Sequence, residues 1–491
     1  MPANLPTQRR SGVVALVLVI TACAAALRFH LLGAKTFWFD EGVSVAIARL
    51  DAYNFFRILW RREANMSLYY ALLHPWLRMD DSEAFIRGLS VLFAVASIPA
   101  IYALGRRLFD SQTGLIAAAL LSVNAFHICY SQEARSYSLM VLLCILSSMY
   151  LVKTSDTPSQ RNRVAYITFS SLAVYAHFYS LLLLVAQWLS LRYVKLPSSA
   201  KESPASWKKS WKVLAICISP ILLFIATTGA GPLRWIQRPG VKDLWNFALL
   251  LSGHDGAILL LSCAALATLG AYPASRKNLA DAAWPRQFLL VWLLVAPLLV
   301  LILSIFRPLF LPRYFIFCLP ALLLLVAVGF ARLRSPWVRA PLLVLYLALS
   351  LRGTSVYYSH DFDNARDDWR SATNYVLQNA HPSDAVLFHV PMGRMPYEYY
   401  LSLSKKDASG PIVLYPYHGP RITFLDFVEK PDYPRISGAL PQYRRVWVVI
   451  SHAETPSGLD HVAAALTSLV DTSHPSVRHV SFNGIDVFLY Q

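Results

Sequence analysis

Apolar runs of about 17–22 residues recur through the first 352 positions, long enough to cross a bilayer as helices. The pattern predicts eleven spans: 12–32, 84–104, 112–129, 137–153, 164–179, 180–196, 213–229, 257–274, 287–305, 315–331 and 339–352. The pair within 164–196 requires a turn near His177–Ser180 to divide it. Positions 33–83 break the pattern. Residues 43–62 mix apolar and basic positions, which suits helices lying in the membrane interface. The segment Leu68 to Trp76 is too short to cross and rich in interfacial aromatics.

From 353 onward the pattern changes to charged, turn-rich and mixed. Asp367-Asp368-Trp369-Arg370 through Asn379 predicts a capped helix. Ala385–Val390, Ile412–Tyr415 and Arg445–Ser451 predict short buried strands, and Ser457–Val470 a helix. Phe482-Asn483-Gly484-Ile485 marks a hairpin turn within Val477–Tyr490. The expected organisation is a membrane domain over 1–352, carrying the outer loop 33–83, and a small α/β domain over 353–491. No internal repeat is visible.

Composition agrees: 56% of residues are hydrophobic and mean hydropathy is positive. The net charge of +17 is compatible with nucleic-acid binding only until it is located. Much of it sits in short loops between apolar runs, which is the signature of membrane orientation and argues against nucleic acid. With the N-terminus placed in the cytoplasm by Arg9-Arg10, the clusters Arg106-Arg107, Arg161/Arg163, Lys208-Lys209/Lys212, Arg276-Lys277 and Arg332/Arg334/Arg339 all fall inside. The C-terminal domain is then extracytoplasmic, and the setting is the cytoplasmic (inner) membrane. Ile20-Thr21-Ala22-Cys23 resembles a cleavage box, but the apolar run continues to Leu32, so an anchored start is expected. The six cysteines fall in or beside apolar runs without metal-ligand spacing and read as packing residues.

This topology gathers polar groups on the outer face. Asp40-Glu41 follows the first span, Tyr130-Ser131-Gln132-Glu133-Ala134-Arg135-Ser136-Tyr137 joins spans 3 and 4, His177 ends span 5, and Arg313 lies in the loop joining spans 9 and 10. A carboxylate can take the proton of an attacking hydroxyl. Arginines can grip a phosphate and offset its growing charge as it leaves. A substrate with its phosphate at the interface and its tail in lipid, such as a lipid-phosphate sugar, needs this combination. Each motif also has a plainer reading: Asp40-Glu41 paired with Arg49 or Lys35, Glu133/Arg135 as a local ion pair, His177 as a packed histidine, Arg313 as a snorkelling anchor. Their coincidence on one face favours the site.

Phe37-Trp38-Phe39-Asp40-Glu41, Leu68-Tyr69-Tyr70, Phe85-Ile86-Arg87-Gly88-Leu89-Ser90, the Ser131–Tyr137 run and Pro312-Arg313-Tyr314 resemble bacterial glycosyltransferases of family 39. That family lies in the GT-C superfamily, with protein O-mannosyltransferases and lipid A aminoarabinose transferases. The resemblance covers about residues 10–330. It implies a polytopic α-helical GT-C fold and an inverting transfer from a polyprenyl-phosphate sugar to an envelope lipid, glycan or protein. It implies Asp40 as general base, Glu41 as its support, and Glu133 as a second acid. Arg135 and Arg313 would hold the donor phosphate, with His177, Tyr137 and Tyr69 contacting substrate. No cofactor is certain. A divalent metal would draw on Glu41, Glu133 and His177, although no compact ligand triad is present. Relatives often carry His-Pro-Pro before Leu-Tyr-Tyr, where this chain has Ala64-Asn65-Met66-Ser67. A transporter or flippase and an envelope-assembly subunit are the rival classes. Transporters place essential charges near mid-membrane in repeated halves, unlike this pattern.

Overall fold

The computed structural model describes residues 7–194, 202–228, 236–254, 256–272, 283–359, 366–404, 410–416, 422–427, 430–455 and 458–491. Arg276-Lys277, Ser457 and the tails of the spans expected at 180–196, 213–229 and 257–274 lie outside the described residues. The chain divides into two compact units: Met1–Leu32, Arg61–Tyr69 and Arg87–His360 form the first, and Gly33–Trp60, Tyr70–Ile86 and Asp361–Gln491 the second.

The first unit is helical. Among the described residues seven helices are long and apolar enough to cross a membrane, or nine if two bent pairs each count as one span. Eleven were expected. The difference is the pair Gln160–Ala176 and Ser180–Tyr193, 17 and 14 residues long, which reach only about 25 and 21 Å at 1.5 Å per residue. Their division falls at His177, as the pattern requires.

The bent pair Ser111–Val123 and Ala125–Ser131 turns by 59° at Asn124. Asn124 takes extended backbone, and its Oδ1 accepts the His127 N–H at 3.1 Å, starting the second helix afresh. The buried Arg28 guanidinium donates to the carbonyls of Leu121 and Ser122 (3.0 and 2.9 Å), which sit in the last turn before the break. A second break, of 73°, separates Val241–Ser252 from Gly256–Ala271, with Gly253 at φ +117° closing the first of these helices.

The helices Gly256–Ala271 and Leu319–Arg332 touch backbone to backbone. A Cβ on Gly270 would strike the Leu325 carbonyl, and one on Gly329 the Leu266 carbonyl. Small residues are what let membrane helices approach this closely. Gly329→Ala is therefore expected to destabilise the protein by about 1–3 kcal/mol, read as a lower Tm in detergent. An unchanged Tm would show that the two helices can part there without cost.

The second unit holds a five-stranded sheet: β1 (Ala385–His389), β2 (Ile412–Tyr415), β3 (Val446–Ser451), β4 (Ser476–Phe482) and β5 (Ile485–Tyr490). The order is β2-β1-β3-β5-β4. β1 runs parallel to β2 and β3, while β5 is antiparallel to both β3 and β4. The β4–β5 hairpin turns at Gly484, φ +70°, where a side chain would also meet Asp367. The expected capped helix is Trp369–Asn379, with the Asp368 carboxylate accepting the Ser371 N–H at 3.0 Å. Two helices not foreseen in the sequence, Arg394–Leu403 and Tyr433–Ala439, complete the layer.

The outer-loop residues 33–60 and 70–86 belong to this second unit, not with the membrane helices among which the sequence pattern had grouped them. Packing explains it. The helix Phe39–Arg49 lies so close to Arg394–Leu403 that a Cβ on Gly42 would sit 2.6 Å from Pro396 Cβ. Phe37 packs on the Tyr399 ring at 4.7 Å. The amphipathic helix Ala52–Arg61 buries Phe55 and Ile58 and leaves Tyr53, Phe56 and Trp60 exposed, an arrangement suited to the interface.

Candidate functional site

The Ser-Gln-Glu-Ala-Arg motif starts on the last residue of the short helix Ala125–Ser131. Its Gln132 is clamped: the amide donates to the carbonyls of Arg28 and His30 (2.9 and 2.7 Å) and accepts the Tyr357 hydroxyl at 3.0 Å. Glu133 is buried, and the Arg135 N–H closes a tight turn onto the Glu133 carbonyl at 2.8 Å. Ser90 Oγ donates to the Arg135 carbonyl at 3.0 Å and lies 2.8 Å from the Tyr69 hydroxyl. A short polar chain thus links the Leu68-Tyr69-Tyr70 and Arg87-Gly88-Leu89-Ser90 motifs to Arg135.

His177 ends the helix Gln160–Ala176 and is 1% exposed. Its Nδ1 accepts the Tyr179 N–H at 3.2 Å, which assigns the proton of the neutral ring to Nε2. Among the described residues that buried Nε2 has no hydrogen-bond partner. The ring is framed by Tyr137 at 6.0 Å, Tyr179 at 5.6 Å and Tyr314 at 4.9 Å. The Arg135 and Arg313 guanidiniums both lie within electrostatic reach of His177, and Glu133, Arg313 and Tyr137 within electrostatic reach of Tyr130. Arg313 is carried by the 3-10 turn Pro312–Cys318, which Pro312 starts with its ring at the first position.

Six of the eight predicted residues, Tyr69, Glu133, Arg135, Tyr137, His177 and Arg313, therefore belong to one neighbourhood of the membrane unit. Asp40 and Glu41 belong to the second unit, in the first turn of Phe39–Arg49, where a helix dipole favours carboxylates. Glu41 is fully buried and Asp40 half-buried. The strand of chain before them is pinned by Tyr400, whose hydroxyl accepts the Phe37 N–H at 2.7 Å and bonds the Glu83 carboxylate. Burial and that carboxylate hold the Tyr400 phenol above its ordinary range, so it remains a neutral donor. His452 packs on Phe39, next to Asp40, at 4.8 Å.

The sequence pattern missed the framing residues Gln132, Tyr179 and Tyr314 as individuals, although each adjoins or lies within a motif. It also missed Asn65. In the element that departs from Leu-Tyr-Tyr relatives, Asn65 Oδ1 accepts the Phe178 N–H at 3.0 Å and so braces the His177 turn. Among the described residues no three His, Cys, Asp or Glu side chains gather as a metal-ligand set.

Residues 66–227 match the family model described as dolichyl-phosphate-mannose-protein mannosyltransferase. No curated protein sequence matches the chain. Among solved structures the chain is similar to ArnT from Cupriavidus metallidurans in the apo state, with TM-score 0.62 and 13% identity over 97% of this chain and 98% of that one. ArnT bound to undecaprenyl phosphate gives TM-score 0.62 and 14% identity over 96% and 97%. The archaeal oligosaccharyltransferase AglB from Archaeoglobus fulgidus, in complex with an inhibitory peptide and a dolichol-phosphate, gives 0.53 and 11% over 98% and 74%. The chain has the GT-C fold, as a multi-pass membrane protein with a small C-terminal sheet domain.

Proposed function

We propose that this protein is an integral-membrane glycosyltransferase that moves a sugar from a polyprenyl-phosphate donor to an acceptor hydroxyl, with inversion. The observation that carries it is the grouping of Arg135, Arg313 and buried His177, with Glu133, in an ArnT-like membrane unit. Such a group suits a lipid-borne phosphate held with its tail in the bilayer. ArnT bound to undecaprenyl phosphate and AglB with a dolichol-phosphate are fold relatives whose ligands have this chemistry.

In the reaction the acceptor oxygen attacks the anomeric carbon from the face opposite the phosphate. The C–O bond to phosphate breaks, and its electron pair leaves on the phosphate oxygen. Asp40 takes the hydroxyl proton, and Glu41 supports it from the same helix turn. Arg135 and Arg313 offset the charge that develops on the departing phosphate. His177 orients the donor through its Nε2–H, Glu133 contacts the acceptor, and Tyr69 and Tyr137 wall the donor. The acceptor is an envelope lipid, glycan or protein.

The site faces outward from the cytoplasmic membrane, with the N-terminus inside. An odd number of spans, whether nine or eleven, leaves the C-terminal unit outside, because a short helix pair enters and leaves on one side. A topology reporter at the C-terminus is expected to read extracytoplasmic, and a cytoplasmic signal would overturn this orientation. The function is tested by mass spectrometry of envelope glycolipids and glycans with and without the protein. A sugar-bearing species that disappears on deletion is the expected result. An unchanged envelope, together with no transfer by purified protein, would favour the transporter reading.

A further inference from the structure

A cavity of about 830 Å³ lies at the end of the helices Ser180–Tyr193 and Pro204–Thr228 and takes no part in the site above. Its described lining residues include three tryptophans (Trp188, Trp207, Trp211), three cations (Arg192, Lys208, Lys212) and one carboxylate, Glu202. Helical spacing produces this wall. Trp207 and Trp211 stand four residues apart on one stripe of the Pro204–Thr228 helix, and Lys208 and Lys212 four apart on the next. Tyr166 fixes both indoles edge-on, at 5.5 and 6.0 Å. Glu202 does not neutralise the wall alone, because Arg163 already binds it with both carboxylate oxygens at 3.2 Å.

Aromatic residues and cations at membrane helix ends are common anchors. What differs here is that they line one concavity, of a size that ordinarily holds a small ligand. The placement of the charges is also informative. Lys208 stands in the second turn of the Pro204–Thr228 helix and Lys212 one turn further on, so both ammonium groups rise from the same helix face as the cavity. A bound anion offsets the mutual repulsion of Lys208, Lys212 and Arg192 around the cavity. Exposed apolar side chains on these same helices, Val185 on one and Val213 and Ile216 on the other, supply a surface for acyl chains.

We infer that this cavity is a binding site for an anionic phospholipid, with the headgroup phosphate held by Lys208, Lys212 and Arg192 and the glycerol backbone against the tryptophans. Basic pockets between membrane helices recognise anionic headgroups in this way. The assignment does not depend on the transfer reaction.

The test is native mass spectrometry of the full-length protein released from mixed vesicles of phosphatidylglycerol and phosphatidylcholine. The wild type is expected to retain phosphatidylglycerol preferentially. Lys208→Gln/Lys212→Gln is expected to weaken that retention about 30-fold, since each lysine beside the headgroup contributes a factor of about five and the two factors multiply. Lys208→Arg/Lys212→Arg, which keeps the charge, should preserve it, and an unchanged Tm in detergent confirms folding of each variant. Equal retention of the two lipids by the wild type needs no variant and overturns the proposal. So does undiminished selectivity in the folded glutamine variant. Displacement of phosphatidylglycerol by millimolar inorganic phosphate would identify a soluble-anion site in place of a lipid site.

Discussion

Asp40→Asn is expected to abolish sugar transfer from a polyprenyl-phosphate donor by the purified protein, lowering the rate by roughly 10²–10⁴-fold. The amide is nearly the same size as the carboxylate but cannot accept the acceptor's proton. The fold should tolerate it. Asp40 is half-buried, and the bond it receives from Ser44 Oγ at 2.9 Å ends on its backbone carbonyl, which the substitution leaves in place. The substitution also gives up the attraction between a carboxylate and the first turn of the helix, about 0.3–1 kcal/mol. Expression and Tm should therefore persist while activity disappears. Full activity in a folded Asp40→Asn protein would remove Asp40 as the base. Glu41→Gln supplies the contrast: Glu41 is fully buried, so its replacement should lower Tm as well as activity.

Arg135→Ala and Arg313→Ala are expected to weaken donor use by roughly 10–100-fold each, from the loss of about 1.5–3 kcal/mol in charge-assisted hydrogen bonds. The effect should appear in apparent donor affinity more than in acceptor affinity. Lysine at either position keeps the charge but loses the paired donors of the guanidinium, so it should restore only part of the loss. The backbone of Arg135 is held independently of its side chain, through its carbonyl to Ser90 and its N–H to Glu133. Truncating the side chain should therefore leave the turn standing. Unchanged apparent donor affinity in both alanine variants would exclude the phosphate role.

Much of the fold could be read from spacing alone. The Asp368 cap, the Gly484 turn, the strand over Ile412–Tyr415 and the helix break at His177 all appear where local chemistry puts them. These features depend on a few neighbouring residues and on backbone preferences that act over one turn. The residues of the candidate site stand out for a related reason. Charges beside long apolar runs are costly unless they are used, so each stands out from its surroundings.

Other features depended on partners far away in sequence. Nothing near Asn65 announces that its amide braces the turn at Phe178, 113 residues on. Gln132 is clamped by Arg28, His30 and Tyr357, separated from it by roughly a hundred residues or more. The helix break at Asn124 needs the Arg28 guanidinium to take up the freed carbonyls, and only a tertiary partner can supply it. The grouping of the outer loop with the C-terminal sheet rests on the close approach of Gly42 to Pro396, which neither segment reveals by itself.

The sequence by itself determined that this is a multi-pass membrane protein with an α/β module and a set of acid, imidazole and guanidinium groups at helix ends. Hydrophobic length and charge position carry that information one residue at a time. The tertiary structure alone decided which helices break and which loop joins which unit. It also decided that Glu133, Arg135, His177 and Arg313 share one neighbourhood, because side-chain hydrogen bonds and backbone approach between distant segments are properties of packing.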